Sequence, residues 1–217
     1  MSKATATPLK RGHGNEERPV ARILWDRDSR PHGPELTASG NFEPDNRHVD
    51  YRRYYDRDYF ARELETLWRK TWLYAGRDED IPQVGDRMPL DVGPQSFMIV
   101  RYAPDSFKAF YNACMHRGTM LCAKRESASS IKCPFHAWEW NNDGSLKRIP
   151  GHWDFPEITR ANGSLNEVRL ERWGGFLFIN CDPEAAPLSE ALQVIPEHFR
   201  EFAPENRYTA APPPGRS

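Results

Sequence analysis

At 217 residues, with 38% hydrophobic and 12% aromatic side chains, the chain can build one sizeable core or two small ones. Its 30 basic and 31 acidic residues give a formal net charge of -1, so no global positive field argues for a nucleic-acid partner. No apolar run approaches the ~18 residues of a membrane span, and the N-terminal stretch lacks the apolar segment of a secretory leader. A cytoplasmic protein with no membrane anchor is expected. Its four cysteines should then be metal ligands or structural thiols before they are disulfides.

Residues 1–46 are polar, with scattered proline, glycine and charge, as in Pro31-His32-Gly33-Pro34. A disordered N-terminal arm is expected there, with only Ile23, Leu24 and Trp25 able to dock. Residues 56–70 predict a helix: Phe60, Leu64, Leu67 and Trp68 share one face, Asp56 or Asp58 can cap its start, and Arg69 and Lys70 suit its end. That apolar stripe is expected to be core. Short strands follow at 71–74, 87–92, 96–102 and 108–111, punctuated by Pro82, Gly85, Gly93-Pro94 and Pro104-Asp105. Strands at 137–141 and 145–149 flank an Asn-Asp-Gly turn ending at Gly144, a hairpin signal. Another pair, 167–172 and 176–180, flanks Trp173-Gly174-Gly175. Residues 188–202 read as helix interrupted at Pro196, and 206–217, with three consecutive prolines, as an unfolded tail. The domain expected between these ends is 47–205.

Two short stretches carry the chemistry. Cys114-Met115-His116 and Cys133-Pro134-Phe135-His136 place one thiolate and one imidazole on each of two loops. A [2Fe-2S] cluster with two thiolates on one iron and two imidazoles on the other requires such a mixed supply. Gly118 and Pro134 suit tight loops whose backbone N–H groups approach sulfur. A structural Cys2His2 zinc site, and with it a zinc-stabilised interaction domain, is the rival, but such sites usually pair Cys with Cys and His with His. Cys114, His116, Cys133 and His136 are therefore the candidate ligands of one Rieske-type [2Fe-2S] cluster.

With those residues in view, the chain resembles the large (α) subunit of Rieske non-haem iron ring-hydroxylating oxygenases. The likeness rests on Tyr111-Asn112-Ala113-Cys114-Met115-His116-Arg117-Gly118-Thr119-Met120-Leu121-Cys122 and Cys133-Pro134-Phe135-His136-Ala137-Trp138. It extends to the helix and first strand around Tyr59-Phe60 and Thr71–Arg77, and to Gly175-Phe176-Leu177-Phe178-Ile179-Asn180-Cys181-Asp182-Pro183. It implies a mainly β Rieske domain of antiparallel sheets with two cluster-binding loops, an N-terminal helix and a short C-terminal helical segment. It also implies single-electron transfer from a reductase or ferredoxin to a mononuclear iron in a catalytic domain or subunit, and a possible homo-oligomer. The disulfide that bridges the loops of respiratory Rieske proteins has no counterpart, because its positions hold Thr119 and Phe135. A stand-alone Rieske ferredoxin is the other carrier the loops fit.

Two departures stand out. Where the family usually has Gly after the second His, this chain has Ala137, disfavoured by about 1 kcal/mol if φ is positive there. The family's catalytic iron needs two His and a carboxylate, but His13, His32, His48, His152 and His198 stand far apart and offer no close pair. The catalytic domain is accordingly expected to be absent, through separate encoding or truncation, and this polypeptide alone is not expected to activate oxygen. Among Rieske centres as a whole, high-potential members carry Ser and Tyr two and four residues after the second His. Trp138 and Trp140 stand there, so a potential near the low end, about -150 mV, is expected. These two could shield the cluster or simply fill core, and Arg117 could lie by the cluster or on the surface. Cys122 and Cys181 read as structural thiols and His152 and His198 as surface groups.

Overall fold

A computed structural model describes residues 50–209. The expected arm at 1–46 lies outside the described residues. Turn chemistry sets the frame: Gly93-Pro94 joins β2 (Asp86–Val92) to β3 (Gln95–Ala103), and Pro104-Asp105 joins β3 to β4 (Ser106–Tyr111). Gly174-Gly175, both at positive φ, joins β9 (Glu167–Trp173) to β10 (Phe176–Asn180). With β1 (Leu73–Arg77) and β5 (Glu126–Ser127), these strands form an antiparallel seven-stranded sheet, ordered β1-β10-β9-β4-β3-β2-β5. A second sheet holds three short strands in order: β6 (Ile131–Lys132), β7 (Glu139–Trp140) and β8 (Leu146–Arg148). The fold is mainly β, as the resemblance implies.

Strand alternation divides the interior in two. Met98 and Val100 of β3 join Phe110, Cys114, Leu121, Cys122, Ile131, Cys133, Trp138 and Trp140 in a core beneath the two ligand loops. Their neighbours Phe97 and Ile99 point the other way, to Ile81, Met88, Val168, Leu177 and Ile179. All four of these β3 residues are fully buried, and each such side chain stabilises the fold by about 1.5–3 kcal/mol. The β7–β8 turn requires glycine at 144: φ is +85°, and a Cβ there would sit 2.3 Å from the Phe110 ring.

Several sequence expectations are corrected. Asp56 caps α1 (Arg57–Glu63), its Oδ1 accepting from Asp58 N and Tyr59 N, and the chain continues as one π-turn over Leu64–Trp68. The apolar stripe is not core. Phe60, Leu67 and Trp68 are 46%, 48% and 38% exposed, and Phe60 and Leu64 lie over the Gly93 turn. Periodicity identified the shared face but not what that face meets. The strand expected at 71–74 runs from Leu73 to Arg77. That expected at 137–141 shrinks to Glu139–Trp140, because Ala137 turns left-handed to close a ligand loop. The helical stretch divides into α2 (Leu188–Leu192) and α3 (Ile195–His198), and the break falls at Gln193, with φ +48°, while Pro196 sits in the first turn of α3. Residues 206–209, expected to be unfolded, are held: buried Arg77 donates to Arg207 O, and Glu79 accepts from Thr209 N and Oγ1. Residues 210–217 lie outside the described residues.

Candidate metal centre

The two loops are built alike. In the first, Cys114 N donates to Thr119 O at 2.8 Å and Gly118 N to Cys114 O at 2.8 Å. In the second, Cys133 N donates to Trp138 O at 2.8 Å and Ala137 N to Cys133 O at 3.1 Å. Each loop thus turns back on its cysteine four residues on, at a residue with positive φ: Gly118 at +69° and Ala137 at +58°. The conditional reading of Ala137 is met, since an alanine occupies the left-handed position that suits glycine.

The two turns set the candidate residues in two pairs, Cys114 with Cys133 and His116 with His136. Cys114 and Cys133 are buried, free of any disulfide and hydrogen-bonded thiol to thiol. The His116 and His136 rings lie 4.7 Å apart, edge to face. Burial pushes the Cys114 thiol up, against the N–H groups of His116 and Arg117 that face it. Burial also raises Cys133, but the N–H groups of His136 and Phe135, with the Cys114 thiol and the Thr119 hydroxyl, outweigh it and hold that thiol below its ordinary value.

The histidines differ in setting. His136 is exposed at the loop tip beside the exposed Phe135 ring, and Met115 is exposed as well. His116 is half-buried and boxed: Trp138 stacks parallel to it at 5.1 Å, and Phe155 meets both rings edge-on. Burial lowers the His116 pKa, and the charges of His136 and exposed Arg117 lower it further. Its Nδ1 is buried without any hydrogen-bond partner.

Trp138 therefore covers a candidate ligand, whereas Trp140 is core, its Nε1 donating to Gly163 O. Cys122 is a buried thiol donating to Lys124 O, and burial raises its pKa, as it does that of half-buried Cys181. His152 and His198 lie on the surface. Three contributors were not singled out from sequence: Thr119 as a thiol donor, Phe155 as a wall of the box, and Asn112 behind the first loop. Their roles are not legible locally, because their partners lie nine or more residues away in the sequence.

Residues 71–159 match the family model of the Rieske [2Fe-2S] domain. The chain carries a Rieske domain. Over this region it is similar to the oxygenase subunits of Rieske oxygenases. It is 31% identical to the carnitine monooxygenase oxygenase subunit of Escherichia coli (strain K12), covering 72% of this chain and 42% of that one. It is 32% identical to the biphenyl 2,3-dioxygenase α subunit of Rhodococcus jostii (strain RHA1), covering 66% of this chain and 32% of that one. Among solved structures, an apo quaternary ammonium Rieske monooxygenase superposes with TM-score 0.65 at 28% identity, over 69% of this chain and 44% of that chain. A naphthalene 1,2-dioxygenase variant superposes with TM-score 0.63 at 29% identity, over 68% and 34%. The chain thus spans less than half the length of these relatives. A Rieske domain implies a [2Fe-2S] cluster, and the orphaned Nδ1 of His116 and the paired, N–H-flanked thiols of this Rieske domain suit one.

Proposed function

We propose that Cys114, His116, Cys133 and His136 hold the [2Fe-2S] cluster and that this chain is the electron-transfer part of a ring-hydroxylating, dioxygenase-type Rieske oxygenase. Single electrons would come from a reductase or ferredoxin and leave for a mononuclear iron in a catalytic domain or neighbouring subunit. Bound in these loops, the cluster would supply one-electron transfer. The observation that carries the reading is the pairing of thiol with thiol and imidazole with imidazole by two loops of one geometry. Among the described residues no three or more His, Cys, Asp or Glu side chains converge as a single metal ion requires, these four included.

Each residue then has a task. The N–H groups that face the thiols favour thiolate over thiol and offset charge on sulfur. Trp138 and Phe155 fix the plane of His116 and exclude water from it. His136 is the edge a partner can reach. The relatives named above act on carnitine or on aromatic rings; the aromatic class is favoured here on the motif likeness alone.

The test mixes anaerobically reconstituted, chemically reduced protein with the separately produced catalytic portion of a ring-hydroxylating relative. Substrate-dependent reoxidation in a single turnover supports the reading. A red, reducible protein that no such portion reoxidises would leave a free electron carrier, and a colourless zinc-loaded protein would leave an interaction domain.

A further inference from the structure

Asn112 stands two residues before Cys114 at the end of β4, is 4% exposed, and uses every hydrogen-bonding position its side chain has. Its Oδ1 accepts from Leu121 N at 3.1 Å and Cys122 N at 2.8 Å. Its Nδ2 donates to Cys122 O at 2.6 Å and Ser96 Oγ at 3.1 Å. Its own N donates to Ser96 O at 2.9 Å. One side chain thus joins the two ends of the segment that carries Cys114, His116 and Thr119, and fastens both to β3.

We propose that Asn112 is the positioning residue of the first cluster loop: it holds Cys114 and His116 in register with the second loop and so sets how tightly the cluster is kept. The second loop has a different brace, the three-strand sheet of β6, β7 and β8, whose first two strands lead into Cys133 and out of Trp138. The first loop leaves β4 and meets no strand until Glu126. Between those points its buried backbone groups at 121 and 122 take their hydrogen bonds from Asn112 rather than from a ladder. Removing the amide leaves two N–H groups and one C=O without partners in a buried place, and each such group favours rearrangement of the loop.

The inference rests on the cluster reading, so its test has one arm with cluster and one without. With cluster, release of iron to a chelator is followed for wild type, Asn112→Ala, Asn112→Asp, Ser96→Ala and Val168→Ala. Val168 is a buried residue of the other core and serves as the control for general destabilisation. Asn112→Ala is expected to release iron about 10–100-fold faster, the usual effect of losing a partner that orients ligands. Asn112→Asp keeps the acceptor for both N–H groups and loses the donors, and should fall between. Ser96→Ala and Val168→Ala should stay near wild type. Equal release from Asn112→Ala and Val168→Ala, or wild-type release from Asn112→Ala, overturns the proposal. If Asn112→Ala does not fold, release from Asn112→Asp no faster than from Val168→Ala overturns it. Without cluster, amide exchange at 121 and 122 should be slow in the wild-type apoprotein and fast in Asn112→Ala, which removes the acceptor, with remote amides unchanged. Slow exchange in both refutes the tie itself. Failure of wild type to take up iron and sulfide would refute the cluster reading instead.

Discussion

The two ligand loops share a backbone and differ in what fills it. Both fold back on their cysteine through the same pair of hydrogen bonds, and both need positive φ four residues on. The first meets that need with Gly118, the second with Ala137. The first is closed by one side chain, Asn112, and the second by a small sheet. The first presents a boxed histidine, the second an exposed one. Equivalent geometry reached by unlike means shows that the four-residue turn about each cysteine is what is required, and that bracing and exposure are free to differ.

The largest effect should come from cutting either loop's thiol. Cys114→Ser and Cys133→Ser should each abolish the coloured cluster, measured by absorption and iron content after reconstitution. A variant of one loop that keeps full iron would mean the loops are not equivalent partners. A smaller effect should separate the two thiols. The Thr119 hydroxyl reaches Cys133, and a hydrogen bond worth about 1 kcal/mol corresponds to roughly 40–60 mV for one electron. Thr119→Val should therefore lower the midpoint by about that much in a redox titration. Wild type should itself titrate well below zero, toward about -150 mV, because Trp138 stacks on His116 and Trp140 donates to Gly163, leaving neither to donate to sulfur.

The turn comparison is sharpened by exchanging residues. Ala137→Gly should relieve roughly 1–2 kcal/mol of left-handed strain and lose part of it to the freer unfolded chain, a net gain of about 0.5–1 kcal/mol. Gly118→Ala should cost about 1 kcal/mol through φ alone, since its Cβ would meet nothing within 4 Å. Denaturant unfolding of the apoproteins checks both signs. The smallest effect lies in the brace of the second loop. The Lys147 ammonium and the Ser130 hydroxyl, both hydrogen-bonded to Glu139, hold its carboxyl below the usual 4.5. A depressed folded value contributes stability above about pH 4.5 that is lost as pH falls through the folded value. Glu139→Gln should lower stability near neutrality by that contribution and flatten the fall in stability as pH drops below about 4.5.

The candidate ligand set could be proposed from sequence because it is local: each cysteine and its histidine lie within three residues, and mixed Cys-His spacing is chemically selective. The hairpins were legible for the same reason, since Gly93-Pro94 and Gly174-Gly175 act where they stand. What could not be read was every contact made across loops. Asn112 looks like any polar residue until Leu121 and Cys122 fold onto it. The apolar stripe of α1 looks like core until the structure shows Phe60 over a turn rather than under a layer. The left-handed turn at Ala137 could be expected only through likeness to a family that has glycine there, because alanine itself gives no such signal.

Four residues on two matched loops are proposed to hold two irons and two sulfides. Iron and acid-labile sulfide, counted per chain after anaerobic reconstitution and read beside the visible spectrum, test it most directly. Two of each, with a red-brown chromophore that bleaches on adding one electron, is the expected result. One zinc per chain, or iron without sulfide, would contradict it.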